Sequence, residues 1–269
     1  MQSPAITLLA TTYNRPNALR ALLQSVLRQT VLPNEVIIAD DGSTDETRRL
    51  IEQFQTHFPI PIVHVWHPDT GFRKCEILNR AIAEATGDYI IQIDGDIVME
   101  RHFLADHMES AEVGWFVCGS RVLLSEEQTR QVENDPEGKP PRLWRCRSAS
   151  WPNGLRCKAL RLYLAKRYAR GKIKPLRGCN MAFWKNDLLA VNGYNEELTN
   201  WGAEDLELGY RLLRSGIRKQ MLKMGGVQYH LYHPQAARDA LEQHKAVIRQ
   251  MNENGQTRCT NGIDKHLTH

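Results

Sequence analysis

The sequence lacks three features that are typical of secreted or membrane proteins. Its six cysteines form no Cys-x-x-Cys pair, no apolar run is long enough to cross a bilayer, and polar residues at the start lead directly into a strand-like run. We therefore expect no secretory signal, and reduced thiols rather than disulfides. These absences predict a soluble, cytoplasmic protein, and its 269 residues suffice for a sizeable core.

Glycine-rich phosphate-binding loops are also absent. A dinucleotide-binding sheet needs Gly-x-Gly-x-x-Gly after its first strand, whereas the chain reads Thr-Thr-Tyr-Asn-Arg-Pro there, from Thr11, and no Walker A sequence occurs. If a nucleotide binds, other groups must hold its phosphates. A divalent metal on Asp96, with Arg73 and Lys74 nearby, would do so.

Strand-like and helix-like segments alternate through the first half of the chain. Strand-like runs cover residues 5–10, 35–39, 62–66 and 89–94, and apolar residues at helical spacing fill the intervals. Ser43 and Glu46 predict a capping box at the start of the second helix. Repeated β-α units predict an α/β fold with a mostly parallel central sheet flanked by helices.

Acidic residues follow two of these strands. Asp40 and Asp41 come after the second strand, and Asp94 and Asp96 stand at the end of the fourth, separated by one glycine. Parallel strands end at one edge of the sheet, where α/β proteins bind ligands, so we expect these side chains to meet there. Two carboxylates so close are costly unless a cation or donor lies between them. Asp-Gly-Asp is also common in ordinary surface turns.

The segment 142–177 contains twelve Lys/Arg and no Asp or Glu, although the whole chain carries a net charge of only +4. Charge runs are usually solvated surfaces, but an acid-free segment of this length favours an anionic partner. The candidates are the inner membrane surface, a phosphorylated lipid-linked acceptor, or an acidic glycan. Nucleic acid is the competing partner, and we do not expect it because no nucleic-acid-reading motif accompanies the segment.

Several motifs together resemble a known family. Thr-Thr-Tyr-Asn-Arg-Pro, Ala-Asp-Asp-Gly-Ser-Thr-Asp and Ile-Asp-Gly-Asp look like the family 2 glycosyltransferases of GT-A fold. In the second half, Arg-Gly-Cys-Asn-Met-Ala-Phe-Trp, Asn-Gly-Tyr-Asn-Glu and Trp-Gly-Ala-Glu-Asp are similar to the carboxyl-terminal region of galactosyltransferase-like enzymes. The resemblance runs from about residue 5 to 234, apart from the basic segment, and implies a GT-A fold with a carboxyl-terminal acceptor-binding region.

The resemblance implies roles for residues of the nucleotide pocket. Thr11 and Tyr13 would line it, Asp41 would accept a hydrogen bond from a uracil ring, and Arg73 would contact base or phosphate. Lys74 belongs to the same group of binding residues. Asp94 would bind the ribose or a group that contacts the metal ligands.

Metal ligands are implied as well. Asp96 would bind the metal directly, His233 matches the metal histidine of the family, and His230 lies where related enzymes vary their ligand. Carboxylate, imidazole and diphosphate ligands suit Mn²⁺ slightly better than Mg²⁺, although both fit. A turn residue before Pro234 is the plain alternative for these histidines.

Asp205, by the same resemblance, is the base of an inverting transfer, and Glu204 orients the acceptor. Acidic residues also favour helix amino ends for electrostatic reasons alone. The preceding Trp201 shifts the balance, because an indole beside a carboxylate offers a stacking surface for a sugar ring. Glu207 is the candidate for the further acidic residue of the family motif, and Leu206 departs from its more acidic version.

The chain is thus expected to move a hexose or N-acetylhexosamine from a UDP-sugar to a saccharide acceptor, with metal dependence and inversion. UDP-Gal, UDP-GalNAc and UDP-Glc are the expected donors, and bacterial surface polysaccharide synthesis is the expected setting. A lipid-linked or an anionic saccharide is the candidate acceptor. The protein is expected to be cytoplasmic or peripheral at the inner membrane. A sugar-nucleotidyltransferase and a non-catalytic glycan- or nucleotide-binding partner are the alternatives.

We predict one GT-A domain with four segments. Residues 1–124 form the nucleotide-sugar-binding half, 125–176 the basic insertion, 177–234 the acceptor and catalytic half, and 235–269 a carboxyl-terminal helix and tail. Within the last segment, residues 235–254 have the spacing of an amphipathic helix.

Overall fold

Strands and helices alternate in the computed structural model, which describes residues 4–168, 172–173, 176–234 and 241–267. The strands are β1 (Ile6–Thr12), β2 (Glu35–Asp40), β3 (Ile62–Trp66), β4 (Tyr89–Asp94), β5 (Ile97–Met99), β6 (Trp115–Gly119), β7 (Val122–Leu123), β8 (Met181–Trp184), β9 (Arg218–Leu222) and β10 (Gln228–His230). The helices are α1 (Pro16–Leu27), α2 (Asp45–Gln55), α3 (Lys74–Glu84), α4 (Phe103–Met108), α5 (Glu126–Asn134), α6 (Lys158–Leu164), α7 (Lys185–Ala190), α8 (Glu204–Arg214) and α9 (Leu241–Glu253).

Within these residues the central sheet has seven strands in the order β3-β2-β1-β4-β8-β6-β9. The pairs β1–β2, β1–β4, β2–β3 and β6–β9 are parallel, and β8 is antiparallel to both of its neighbours. Alternate strand residues feed two cores, with Leu8 and Ile38 packed on one face and Leu9 and Ile37 on the other. The predicted mostly parallel α/β sheet flanked by helices is confirmed.

The two halves of the sequence share this sheet, because β8 from the second half lies between β4 and β6 from the first. A smaller sheet, in the order β5-β10-β7, joins them again. In it β5, which follows Asp96 directly, pairs with β10, which ends at His230. In this register Ile97 lies opposite His230, so Asp96, which precedes Ile97, lies beside His230.

The predicted capping box at α2 is wrong. The helix begins at Asp45 with Thr44 as N-cap, and no side chain caps it. Ser43 instead accepts a hydrogen bond from the backbone amide of Asn14 (2.9 Å), and the side chain of Asn14 accepts one from the amide of Thr44 (2.9 Å). The hydroxyl is thus used to join the loops after β1 and β2 rather than to start the helix.

Four of the ten described cations in the basic segment pair with acids elsewhere in the chain, so these four need no external anion to balance their charge. The pairs are Arg156 and Arg161 with Asp106, Lys158 and Arg161 with Glu109, and Lys166 with Glu112. Arg161 is only 1% exposed, so its charge is part of the interior. Arg170 and Lys174 lie outside the described residues, and a membrane-binding role for the segment stays a prediction.

Replacing Arg161 by Leu is expected to destabilise the protein by about 3 kcal/mol, because it leaves the buried carboxylate of Asp106 with one arginine fewer. Urea unfolding monitored by circular dichroism measures the change. The matched control is Lys166→Ala, which breaks the half-exposed pair with Glu112 and should cost less than about 1 kcal/mol. Equal small losses in both variants would contradict a structural role for Arg161.

Helix α9 covers the second part of the amphipathic segment predicted at 235–254, whereas residues 235–240 lie outside the described part of the chain. His244, Ile248 and Met251, which the spacing assigns to the inward side, are buried. None of the helices described is long and apolar enough to traverse a bilayer. The six cysteines, all at described positions, form no disulfide, and only Cys157 is exposed.

Candidate functional site

A cleft of about 350 Å³ opens at the carboxyl edge of the sheet, beyond β1, β2 and β4. Its lining residues are Thr11, Thr12, Tyr13, Arg15, Asp41, Phe72, Lys74, Asp94, Gly95, Asp96, Trp201 and His233. Most of the predicted site residues therefore meet there, as the parallel strands require.

Asp96, His230 and His233 present three ligand atoms within 4.8 Å of one another. His230 Nδ1 lies 2.9 Å from the carbonyl oxygen of Leu231, and His233 Nδ1 lies 2.7 Å from that of Pro234. A carbonyl accepts only from a protonated nitrogen, so in each neutral ring the lone pair is on Nε2.

Both Nε2 atoms face Asp96, at 3.6 Å from Oδ1 for His230 and 3.4 Å from Oδ2 for His233. Oδ1 is buried and has no hydrogen-bond partner among the described residues. Lone pairs that converge on a buried carboxylate repel one another unless a cation lies among them. The donor set, one carboxylate and two imidazoles, therefore fits a divalent transition metal.

Arg15 is a site residue that the sequence interpretation left without a role. Its guanidinium donates to Asp96 Oδ2 (2.9 Å) and to the carbonyl of Tyr232 (3.2 Å), and it lies 3.4 Å from Glu133. It thus fixes one oxygen of Asp96 and the backbone between the two histidines. The only sequence signal was its position in the loop after β1.

Lys74 connects the two halves of the site. Its ammonium group donates to Asp94 (2.8 Å) and lies 3.8 Å from Glu204 at the start of α8. Burial by itself lowers the pKa of Lys74, but the carboxylates of Asp94, Glu204 and Asp205 outweigh it and raise the pKa well above the usual value. The lysine is therefore charged and holds the acceptor-side helix against β4.

Asp205 accepts a hydrogen bond from the backbone amide of Gly178 (2.7 Å), and the hydroxyl of Tyr194 lies 3.5 Å away. Burial, followed by the negative charge of Glu204, raises the pKa of Asp205 to about 7, although Lys74 opposes the shift. A carboxyl group with this pKa can take or give a proton near neutral pH.

The approach of Asp205 to this backbone requires glycine at position 178. A Cβ atom there would lie 2.5 Å from the carboxylate of Asp205. Gly95, between the two aspartates after β4, is required in the same way, since a Cβ would lie 2.5 Å from the carbonyl oxygen of Thr11. The sequence alone marked neither contact, because both join distant segments.

The remaining predicted residues of the nucleotide pocket line the cleft, with the exception of Arg73. Thr11 donates to Asp94 (3.2 Å), and Tyr13 and Trp201 line the cleft with 50% and 39% exposure. Asp41 also lines it and accepts from the amide of Arg73 (3.0 Å). The Arg73 side chain is not among the lining groups; its guanidinium lies 3.9 Å from Glu76.

Curated proteins of known activity are similar to the chain over most of its length. Chondroitin synthase of Escherichia coli is 26% identical over 249 residues, which cover 85% of this chain and 35% of that protein. Validoxylamine A glucosyltransferase of Streptomyces hygroscopicus subsp. limoneus is 27% identical over 231 residues, or 80% and 49%. The chain thus spans about a third and about half of the lengths of these relatives.

Solved structures share the fold at low identity. Staphylococcus aureus TarS 1–349 in complex with UDP has a TM-score of 0.63 at 16% identity, covering 97% of this chain and 68% of that one. The mannosyltransferase PcManGT of Pyrobaculum calidifontis, in complex with GDP-Man and Mn²⁺, has a TM-score of 0.58 at 19% identity, covering 87% and 59%. Both support the GT-A architecture seen in the sheet.

Two sequence families match overlapping parts of the chain. Residues 159–234 match the N-terminal domain of galactosyltransferase, which agrees with the resemblance of the second half. Residues 7–168, more than half of the chain, match glycosyl transferase family 2. The chain therefore belongs to glycosyl transferase family 2 and has the GT-A fold.

Proposed function

We propose that the protein is a metal-dependent, inverting glycosyltransferase that moves a hexose or N-acetylhexosamine from a UDP-sugar to a saccharide acceptor. The observation that carries the proposal is the position of Asp205. Its carboxyl group has a pKa of about 7 and lies within the electrostatic influence of Lys74, which donates to Asp94 at the wall of the donor cleft. A proton acceptor beside a nucleotide-sugar cleft is what an inverting transfer needs.

The donor nucleotide is assigned to the cleft beyond β1 and β2, where Thr11, Tyr13 and Asp41 line the wall. TarS, which has the same fold, was solved in complex with UDP, and this supports a uridine nucleotide as the donor group. UDP-Gal, UDP-GalNAc and UDP-Glc are the proposed donors. The 50% exposed ring of Tyr13, held by a hydrogen bond from its hydroxyl to Asp69 (2.8 Å), is positioned to cover a base.

Asp96, His230 and His233 would hold Mn²⁺ or Mg²⁺, and the unpartnered Oδ1 of Asp96 together with the Nε2 lone pairs supports this assignment. The Mn²⁺ ion in PcManGT gives independent support from a protein of the same fold. A bound divalent cation would neutralise the charge that develops on the leaving diphosphate.

Asp205 removes the proton of the acceptor hydroxyl as that oxygen attacks the anomeric carbon. The bond from the anomeric carbon to the diphosphate oxygen breaks on the opposite side, so that the products are an inverted glycoside, UDP and a protonated Asp205. Glu204 keeps the pKa of Asp205 high through its charge, and Trp201 offers a ring for the sugar to stack on.

The proposed setting is polysaccharide synthesis, in keeping with the similarity to chondroitin synthase. A cytoplasmic location, with contact to the inner membrane through residues 142–177, belongs to the same proposal. Because Arg156, Lys158, Arg161 and Lys166 are paired with acids of the chain, the other cations of that segment would have to contact the membrane.

A panel of nucleotide sugars tested for metal-dependent hydrolysis checks the proposal. We expect release of UDP from one of the three UDP-sugars in the presence of Mn²⁺, and its loss with EDTA. Pyrophosphate release from a nucleoside triphosphate and a sugar phosphate would instead identify a nucleotidyltransferase. Tight UDP binding without turnover of any donor or acceptor would identify a non-catalytic partner.

A further inference from the structure

The strand order divides the carboxyl edge of the sheet into two parts of opposite charge. On one part, Asp41 follows β2, Asp94 is the last residue of β4, and Asp96 lies two residues beyond it. The other part is formed by β8, β6 and β9, of which β8 is antiparallel and so starts at this edge. Since neighbouring strands are about 4.8 Å apart, the second part is roughly 10 Å wide.

Three cations stand on this second part: Arg121 two residues after β6, Lys223 directly after β9, and Arg177 four residues before β8. We call them the edge cations. Asn153 joins two of their loops, because its amide donates to the carbonyl of Arg121 (2.9 Å) and accepts from the ammonium of Lys223 (2.7 Å). Arg177 precedes Gly178, whose amide holds Asp205. Arg177 therefore stands beside the loop that holds the proposed base, and Arg121, which contacts Cys179 of that loop, and Lys223 follow the two strands beyond β8.

Among the described residues, no carboxylate forms an ion pair with any of the edge cations. Asp106 lies near Lys223, because it accepts a hydrogen bond from the amide of Gly226, three residues further along the chain. Its carboxylate is already paired with Arg156 and Arg161. Arg121 donates to the thiol of Cys179 (3.4 Å), and its buried Nε has no partner within the described chain.

Two of the edge cations, Arg177 and Lys223, are close enough to repel each other. Burial, opposed by no carboxylate, and then the charge of Arg177 lower the pKa of Lys223. Repulsion of this kind is relieved when an anion binds among the cations.

We infer that the acceptor carries an anionic group, a carboxylate or a phosphate, which binds to Arg121, Arg177 and Lys223 while its hydroxyl reaches Asp205. The inference rests on the proposed function and adds the class of acceptor to it. The donor occupies the acidic part of the edge with its metal, so the acceptor has only the cationic part from which to approach.

The test compares three oligosaccharides of equal length that end in a neutral hexose, a hexuronate or a phosphorylated hexose. Calorimetry measures their binding without donor, and transfer is measured with the UDP-sugar that the hydrolysis panel identifies. We expect one of the two anionic probes to bind and react at least tenfold better than the neutral one, with the preference weakened by salt. The better of the two anionic probes identifies the source of the charge.

Arg177→Gln and Lys223→Gln are each expected to reduce that preference about tenfold, since Gln removes the charge and at position 223 can still bond Asn153. Lys158→Gln, a change in the same basic segment but in a pair with Glu109, should leave it unchanged. Hydrolysis of donor without acceptor is the separate check of the proposed function, and both edge variants should retain it.

Equal use of neutral and anionic probes would overturn the inference. So would a loss of UDP affinity in the two Gln variants, which would assign the cations to the leaving diphosphate. Binding to anionic vesicles that both variants abolish, without any preference among the oligosaccharides, would assign them to a membrane surface and would overturn it too.

Discussion

Replacing Asp205 by Asn should reduce transfer by a factor of about 10² to 10⁴, the usual contribution of a general base. The Asn side chain can still accept the hydrogen bond from the amide of Gly178, so the turn before β8 should keep its position. Affinity for UDP should stay within a factor of about two, because the groups that line the nucleotide cleft are unchanged. Single-turnover kinetics and calorimetry measure the two quantities separately.

The pH profile gives a second measurement of the same group. Asp205 acts only when deprotonated, and its pKa in the folded protein is about 7. The value of kcat/KM should therefore fall about tenfold for each pH unit below that pKa and level off above it. Glu204→Gln removes a negative charge that raises this pKa, so the falling limb should move to lower pH.

Two outcomes would contradict the role of Asp205. Near-normal turnover in Asp205→Asn would mean that another residue takes the proton. A falling limb that remains in Asp205→Asn at the same pH would assign the titration to another group.

The sheet and the acidic loops were predictable because they depend on local pattern. Parallel strands are buried on both faces, so β1, β2 and β4 appear as mostly apolar runs, and each has polar residues at its carboxyl end. The meeting of Asp41, Asp94 and Asp96 then follows from parallel pairing alone. Family resemblance, not local pattern, supplied Asp205 and His233.

What could not be predicted depends on contacts between distant segments. The acids that neutralise Arg156 and Arg161 are Asp106 on α4 and Glu109 just after it, about 50 positions earlier in the chain, so a window over 142–177 contains neither. Arg15 reaches Asp96 across 81 positions. The orientation of Arg73 toward Glu76 rather than the cleft depends on how α3 begins, which composition does not fix.

Removal of the carboxylate at Asp96 should abolish the metal-dependent part of UDP binding. The Asp96→Ala and His233→Ala variants each lose one of the three converging ligand atoms, and we expect Mn²⁺ affinity to fall by more than the 10- to 100-fold that loss of a supporting group typically causes. Electron paramagnetic resonance of free Mn²⁺ measures this without any turnover. Circular dichroism checks that the fold is kept.

The Arg15→Gln variant tests whether Arg15 positions the proposed metal ligand Asp96. The guanidinium of Arg15 holds Asp96 Oδ2 and the carbonyl of Tyr232 but cannot bind a cation, so its loss should weaken Mn²⁺ binding by about 10- to 100-fold and no more. Tighter Mn²⁺ binding in Arg15→Gln would mean that the arginine competes with the metal for Asp96. If UDP affinity in the presence of Mn²⁺ is unchanged in both Asp96→Ala and His233→Ala, the metal assignment fails, and the lone pairs around Asp96 must be met by the charge of Arg15 alone.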